Sequence, residues 1–156
     1  MPTPDFILRL REKVGHDLLP LVGVYAIVRD EDDRLLLTLR RDTRRWALIG
    51  GIVEPGEQPA HAASREVLEE TGVEARIDRL VSVIADPPKQ YPNGDWVQFL
   101  TLSFVLKRVA GEARVTDDES LEVGWFPLDG RPTLSDLEES RLTHALAQPQ
   151  PTYYEG

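Results

Sequence analysis

The sequence contains no cysteine, which excludes disulfide staples, thiolate nucleophiles and cysteine-based zinc sites, and fits a reducing compartment. Marks of export are missing too. The N-terminus, Met1-Pro2-Thr3-Pro4-Asp5-Phe6, has neither the basic nor the apolar region of a signal peptide, and no apolar run approaches the roughly 20 residues of a spanning helix. A soluble, cytoplasmic protein with no membrane partner is the expectation. Positive charge is also short: 18 lysines and arginines stand against 27 aspartates and glutamates, a formal net charge of −9. That balance disfavours a broad grip on duplex nucleic acid. A small phosphorylated substrate stays open if arginines or a bound metal supply positive charge locally. No internal repeat or low-complexity linker divides the chain, and 156 residues at 41% hydrophobic content suit one globular domain.

What the sequence does have is a concentrated stretch from Gly50-Gly51-Ile52-Val53-Glu54-Pro55-Gly56-Glu57 to Arg65-Glu66-Val67-Leu68-Glu69-Glu70-Thr71-Gly72-Val73. Pro59 suits the first position of a helix and Gly72 the position just past its end, which frames about 13 helical residues. On that helix Glu66, Glu69 and Glu70 fall within an arc of about 100°, beside an apolar stripe of Ala60, Ala63 and Val67. Three like charges at this spacing repel unless a cation sits among them. Oxygen-only ligands point to Mg2+ or Mn2+ rather than zinc. The plainer reading is a solvated acidic face with an Arg65–Glu69 pair. Against it, Gly50-Gly51 and Pro55-Gly56 bracket a loop that brings bare backbone near a ligand, and Glu57 reaches back toward the same face.

This stretch resembles the Nudix box, G-x5-E-x7-R-E-U-x-E-E-x-G-U with U aliphatic. Gly51, Glu57, Arg65, Glu66, Glu69, Glu70 and Gly72 fill the fixed positions, and Val67 and Val73 the aliphatic ones. Where the family often carries proline before the two glycines, this chain has Ile49. The resemblance implies a single Nudix domain over residues 1–156, with an α/β/α sandwich in which a mixed β-sheet lies between helices. It implies metal held by Glu66, Glu69, Glu70 and the Gly50 carbonyl, Arg65 orienting the box carboxylates, Glu57 tying loop to helix, and Gly51 and Gly72 in structural roles.

The remaining elements follow in order. Residues 5–14 space Phe6, Ile7, Leu10 and Val14 as a short helix packed on the body or on a second subunit, so a homodimer is an option. Leu21 to Val28 and Arg34 to Arg40 predict a hairpin around the polar turn Asp30-Glu31-Asp32-Asp33. Arg40, Arg41, Arg44 and Arg45 follow, planar donors for phosphate oxygens with Arg40 and Arg41 favoured, or else a solvated loop. Trp46 is expected in the core. After the box, Leu80 to Ala85 is β-like. The breaker-rich Asp86 to Asp95 follows, in which Tyr91, Asp95 and Trp96 can line a pocket, with a ring for a base and a carboxylate for a ribose hydroxyl; a hairpin tip needs such residues for geometry alone. Trp96 to Val109, apolar on both faces, predicts a central strand, and Glu122 to Leu128 a further one. Pro132 to Ala147 predicts a helix capped by Ser135 or Thr133, with Leu134, Leu137, Leu142 and Leu146 inward, and residues 148–156 a loose tail. His16, His61 and His144 are isolated, which makes each a structural or surface residue.

The acidic segment Asp117-Asp118-Glu119-Ser120 ahead of Trp125-Phe126 is the second chemical feature. By resemblance Glu119 reaches the metal cluster, with Glu122 as competitor, and an acidic solvated loop is the plain alternative. The implied activity is Mg2+-dependent hydrolysis of a nucleoside diphosphate linked to another moiety, either a nucleotide sugar such as ADP-ribose or a nucleoside triphosphate, with Glu66 or Glu119 as general base. A catalytically silent nucleotide sensor on the same fold is the alternative; such modules tend to lose box carboxylates that this chain keeps.

Overall fold

A computed structural model describes residues 3–147 and 151–155. Strand β1 (Leu19–Arg29) and strand β7 (Trp96–Ala110) run parallel and in continuous register from Leu19↔Val97 to Arg29↔Lys107. Both are rich in β-branched and aromatic residues, and both are covered on each face. Alternation along β1 sends Val24, Ala26 and Val28 to one side and Tyr25 and Ile27 to the other. On the first side lies helix α2 (Pro59–Thr71), packing Ala62, Ala63 and Val67 against Phe104 and Leu106. On the second lies helix α3 (Asp136–Leu146), with Leu142 and Ala145 against Val105, Leu35 and Leu37. This is the expected α/β/α sandwich around a mixed sheet. Helix α1 (Asp5–Val14) closes one end, its Ile7 seated on Leu21 and Val97. Among the described residues, no helix is long and apolar enough to cross a membrane.

The rest of the sheet builds outward from this pair. Strand β5 (Glu74–Ala85) lies antiparallel on the far side of β7, six residues longer at its start than the Leu80–Ala85 that the alternation marks. Its register shifts at three places, and those irregularities break the period-2 signal. Strand β6 (Lys89–Gln90) pairs with the start of β7 around the 91–95 tip.

Three expectations are corrected here. Strand β2 (Leu35–Arg40) meets β1 only at Arg29↔Leu35, because β1's edge from Gly23 to Ala26 is taken by strand β4 (Ile49–Ile52). Strand β2 pairs instead with strand β8 (Ser120–Phe126) and with strand β3 (Trp46–Ala47), so the predicted hairpin is a single bridge. Gly50 and Gly51 lie in β4, opposite Tyr25 and Val24, and not in a loop. Part of the expected loose tail is docked: strand β9 (Tyr153–Tyr154) runs parallel to β5, and Tyr153 stacks on His144 at 4.0 Å. Residues 148–150 and 156 fall outside the described residues.

Helix ends follow the sequence signals. Pro59 opens α2 at its first turn, and Gly72 closes it at φ 68 with its N–H on Leu68 O. Helix α3 starts in a capping box, Ser135 accepting from the Glu138 N–H while the Glu138 carboxylate accepts from the Ser135 N–H. That box turns Glu138, Arg141 and Leu142 toward the sheet and leaves Leu137, expected inward, 49% exposed. Replacing Ser135 by Ala removes one half of the reciprocal cap and is expected to cost about 1 kcal/mol. Thermal denaturation should read this as a fall of roughly 2–4 °C in Tm.

Candidate active site

Helix α2 carries the acidic face, and its carboxylates are not equivalent. Glu66 is 1% exposed and Glu70 9%, one turn apart and buried side by side, whereas the Glu69 side chain is 57% exposed. Glu66 is sealed from above by β4: a Cβ at Gly51 would lie 2.0 Å from Glu66 Oε1. Only glycine lets a strand backbone come this close to a carboxylate. Gly50 is equally confined, since a Cβ there would meet Val24 O at 2.7 Å.

Arg65 gathers the box. Its Nε and Nη2 donate to the two Glu57 oxygens at 2.8 and 3.0 Å, and its Nη1 to Glu66 Oε1 at 2.9 Å and Glu69 Oε2 at 3.1 Å. Nη2 also reaches Ile52 O at 3.3 Å, which fastens the helix to the end of β4. Glu57 in turn accepts the Glu54 N–H at 3.1 Å, closing the turn between β4 and α2. This fork holds Glu57 below the usual carboxylate range, chiefly through its hydrogen bonds to Arg65.

The helix face has the opposite character. Burial pushes Glu66 up to about 7, with Arg65 opposing and Glu69 and Glu57 adding repulsion. Burial, then the charges of Glu66 and Asp117, push Glu70 up to about 8, against the pull of Arg40. A cleft of about 820 Å³ has Gly50, Gly51, Arg40 and Glu119 in its wall, but not Glu66, Glu69 or Glu70; its size suits a nucleotide-scale ligand. Among the described residues no three Asp, Glu or His side chains converge into a ready ligand set; Glu66 and Glu69 each spend an oxygen on Arg65.

The arginines divide. Arg40 lines the cleft and is held in a two-point pair by Asp42, Nε to Oδ1 at 3.0 Å and Nη2 to Oδ2 at 2.9 Å. That pair lowers Asp42 to about 2. Arg41 turns instead to the 117–120 segment, where its Nε donates to Asp118 O at 2.7 Å. At the cleft's rim stand Tyr91 and Asp95. Asp95 is engaged in tying the 91–95 tip to α1: it takes His16 Nδ1 at 2.7 Å and Asn93 Nδ2 at 2.9 Å, with Arg11 Nε at 3.5 Å. Lys89 sits over the Tyr91 ring at 4.7 Å. Trp46 packs edge-on to Phe126 at 4.7 Å between centroids.

One group of polar residues in the cleft wall was not visible in the sequence: Tyr25, Asp86, Thr101 and Glu138. Thr101 Oγ1 donates to Asp86 Oδ2 at 2.6 Å, and Asp86 also pairs with Arg141, which is 1% exposed and lies over the Tyr25 ring at 4.9 Å. Glu138 accepts the Leu48 N–H at 2.9 Å. The Ser135-x-x-Glu138 spacing signals a cap, but nothing local marks Arg141 as buried, because its partner is 55 residues away.

The family model of the NUDIX domain matches residues 19–145. The chain is 32% identical over 133 residues to the 8-oxo-dGDP phosphatase NUDT18 of Mus musculus, covering 83% of this chain but 38% of that protein, so it spans less than half of the mouse relative. It is 33% identical over 121 residues to the ADP-ribose pyrophosphatase of Methanocaldococcus jannaschii, covering 76% of this chain and 68% of that one. A solved MutT NUDIX hydrolase from Burkholderia pseudomallei superposes with a TM-score of 0.65 at 29% identity, over 81% of this chain and 98% of that one. With the domain match spanning β1 to α3 and every fixed box position filled, the chain belongs to the Nudix hydrolase family.

Proposed function

We propose that the protein hydrolyses the diphosphate of a nucleoside diphosphate linked to another moiety, a nucleotide sugar or a nucleoside triphosphate, releasing two phosphorylated products. The observation that carries this reading is the pair of buried carboxylates, Glu66 and Glu70, one turn apart on α2, with Glu66 packed against the backbone of Gly51, which lines the cleft. Two relatives act, by name, on purine nucleotides that contain a diphosphate, 8-oxo-dGDP and ADP-ribose, and the cleft's size accords with such a substrate.

A hard divalent ion fits these residues. The donors are all oxygens, and Glu66 and Glu70 are buried one turn apart, with the charge of Glu66 bearing on Glu70 in the absence of a cation. Glu66, Glu69, Glu70 and the Gly50 carbonyl would hold Mg2+, with Mn2+ as a substitute; when bound, the ion supplies positive charge to phosphate oxygens and acidifies water. The chain's own groups do the rest. Arg40, preset by Asp42, orients a phosphate at the mouth. Glu66 is one candidate proton acceptor, and Glu119, which lines the cleft, is the other. Arg65 holds the carboxylate frame, and the polar residues Tyr25, Asp86, Thr101 and Glu138 receive the nucleoside. The absence of cysteine accords with a cytoplasmic site of action.

A screen of nucleotide sugars, nucleoside triphosphates and dinucleoside polyphosphates with Mg2+, with both products identified, tests the reading. Glu70→Gln should lower kcat by at least about 100-fold while keeping the fold by circular dichroism. Undiminished turnover would refute the role given to this face.

The pH dependence of stability has a defined sign. Glu66 and Glu70 sit above the ordinary glutamate value of 4.5 in the folded chain, so the native state keeps protons that the unfolded state releases. The metal-free protein should therefore lose stability as pH rises from about 4.5 toward about 8. In EDTA, Tm is expected to fall by several degrees between about pH 5 and pH 8, and less in Glu70→Gln. Adding Mg2+ at the upper pH should raise Tm in the wild type; identical pH slopes for the two proteins would count against the buried pair.

A further inference from the structure

We propose that Arg41 is a positioning residue that acts through Glu119, and that the phosphate-facing role belongs to Arg40 alone of the two. This rests on the reading above that Glu119 serves the reaction.

The two adjacent arginines face different tasks at the end of β2, where the register with β8 shifts between Leu39 and Arg40. Arg40 lines the cleft; among the described residues, Arg41 is not part of its wall. Arg41 makes two bonds to consecutive carbonyls of the opposite segment: its backbone N–H donates to Glu119 O at 2.7 Å and its Nε to Asp118 O at 2.7 Å. The same segment is fixed from within, Asp117 Oδ1 accepting the N–H groups of Glu119 at 3.1 Å and Ser120 at 3.0 Å. At its near end Thr116 Oγ1 donates to Glu69 O at 2.6 Å and the Arg114 N–H to Thr71 O at 3.0 Å, which pins it to the C-terminal turn of α2.

Residues 114–119 are therefore strung between the acidic helix and the end of β2, with Arg41 as the anchor at the β2 end. Glu119 is the member of this string that reaches the cleft. A guanidinium gripping the carbonyl one residue before Glu119 fixes the backbone from which that carboxylate projects. Displacements of about 1 Å in a reacting group cost on the order of 100-fold in rate. The anchor thus controls turnover rather than substrate affinity.

A double-mutant cycle with Mg2+ and the best substrate of the screen tests this. Arg41→Ala should lower kcat by about 10- to 100-fold with KM within about two-fold, whereas Arg40→Ala should raise KM. Glu119→Gln should be slow by itself, and adding Arg41→Ala to it should cause little further loss, since two groups that act in series do not add. Arg41→Lys, which restores a donor for Asp118 O, should recover part of kcat; if Arg41→Ala does not fold, Arg41→Lys and Arg41→Gln carry the same cycle. Should Arg41→Ala raise KM at unchanged kcat, or should the losses multiply in the double variant while Glu119→Gln alone remains slow, the positioning role is overturned and the reading of the site stands. Full activity in Glu119→Gln overturns both.

Discussion

The fork of Arg65 is the constraint around which the acidic face of α2 is arranged. One planar cation touches Glu57, Glu66, Glu69 and the Ile52 carbonyl, and so joins a strand end, a turn and a helix face through bonds whose directions are fixed by the guanidinium plane. Its charge is not enough to satisfy that face. Glu57 is held as a carboxylate, but Glu66 and Glu70 remain above the usual range because burial outweighs the attraction. The frame is neutralised at its rim and under-neutralised at its centre. An isolated surface pair would contribute little to stability; here the arrangement keeps two carboxylates buried one helical turn apart, at a cost in desolvation.

The sheet supplies the geometry for this. Strand β1 divides the two sides: Val24 and Ala26 face α2, while Tyr25 between them packs on the α3 side and lines the cleft. Because β4 pairs with the Gly23–Ala26 stretch, Gly51 is delivered against Glu66 by strand register. A one-residue slip in that pairing would replace Gly51 by Gly50 or Ile52 over the carboxylate and turn every side chain to the other face. The requirement for two adjacent glycines follows: one clears Glu66, the other clears Val24 and Tyr25.

Local signals in the sequence were enough for the parts of this site that are local. The span of α2, its proline start and glycine end, and the clustering of glutamates all depend on neighbours within four residues, and the helix runs where they place it. The inequality of the three glutamates was not legible, because it depends on β4 descending over Glu66. Turn residues suggested a loop at Gly50-Gly51, but pairing with β1 overrode that local preference. The same limit hid Asp86, Glu138 and Arg141, whose partners Arg141, Leu48 and Asp86 lie 55, 90 and 55 residues away. On a helical wheel, Glu138 and Arg141 look like solvent-facing charges.

The polar layer around Asp86, Glu138 and Arg141 is held by contacts distant in sequence. Arg141 on α3 is fully buried and its partner Asp86 keeps 14% side-chain exposure, and such pairs seldom stabilise a fold more than an apolar replacement would. Among the described residues, Arg141 Nε, Ser82 Oγ and Ser103 Oγ find no hydrogen-bond partner, so this layer is not optimised for stability alone. Its members are rigid, however: Asp86 is held by Thr101 and Arg141, Tyr25 lies against the guanidinium, and Glu138 is locked by the Leu48 N–H and the cap of α3. Fixed donors and acceptors reject a ligand whose edge fails to match them, since a mismatch strands a desolvated polar group. A motif sets the carboxylates of α2, whereas tertiary contacts set the pattern of polar atoms around Asp86, Glu138 and Arg141.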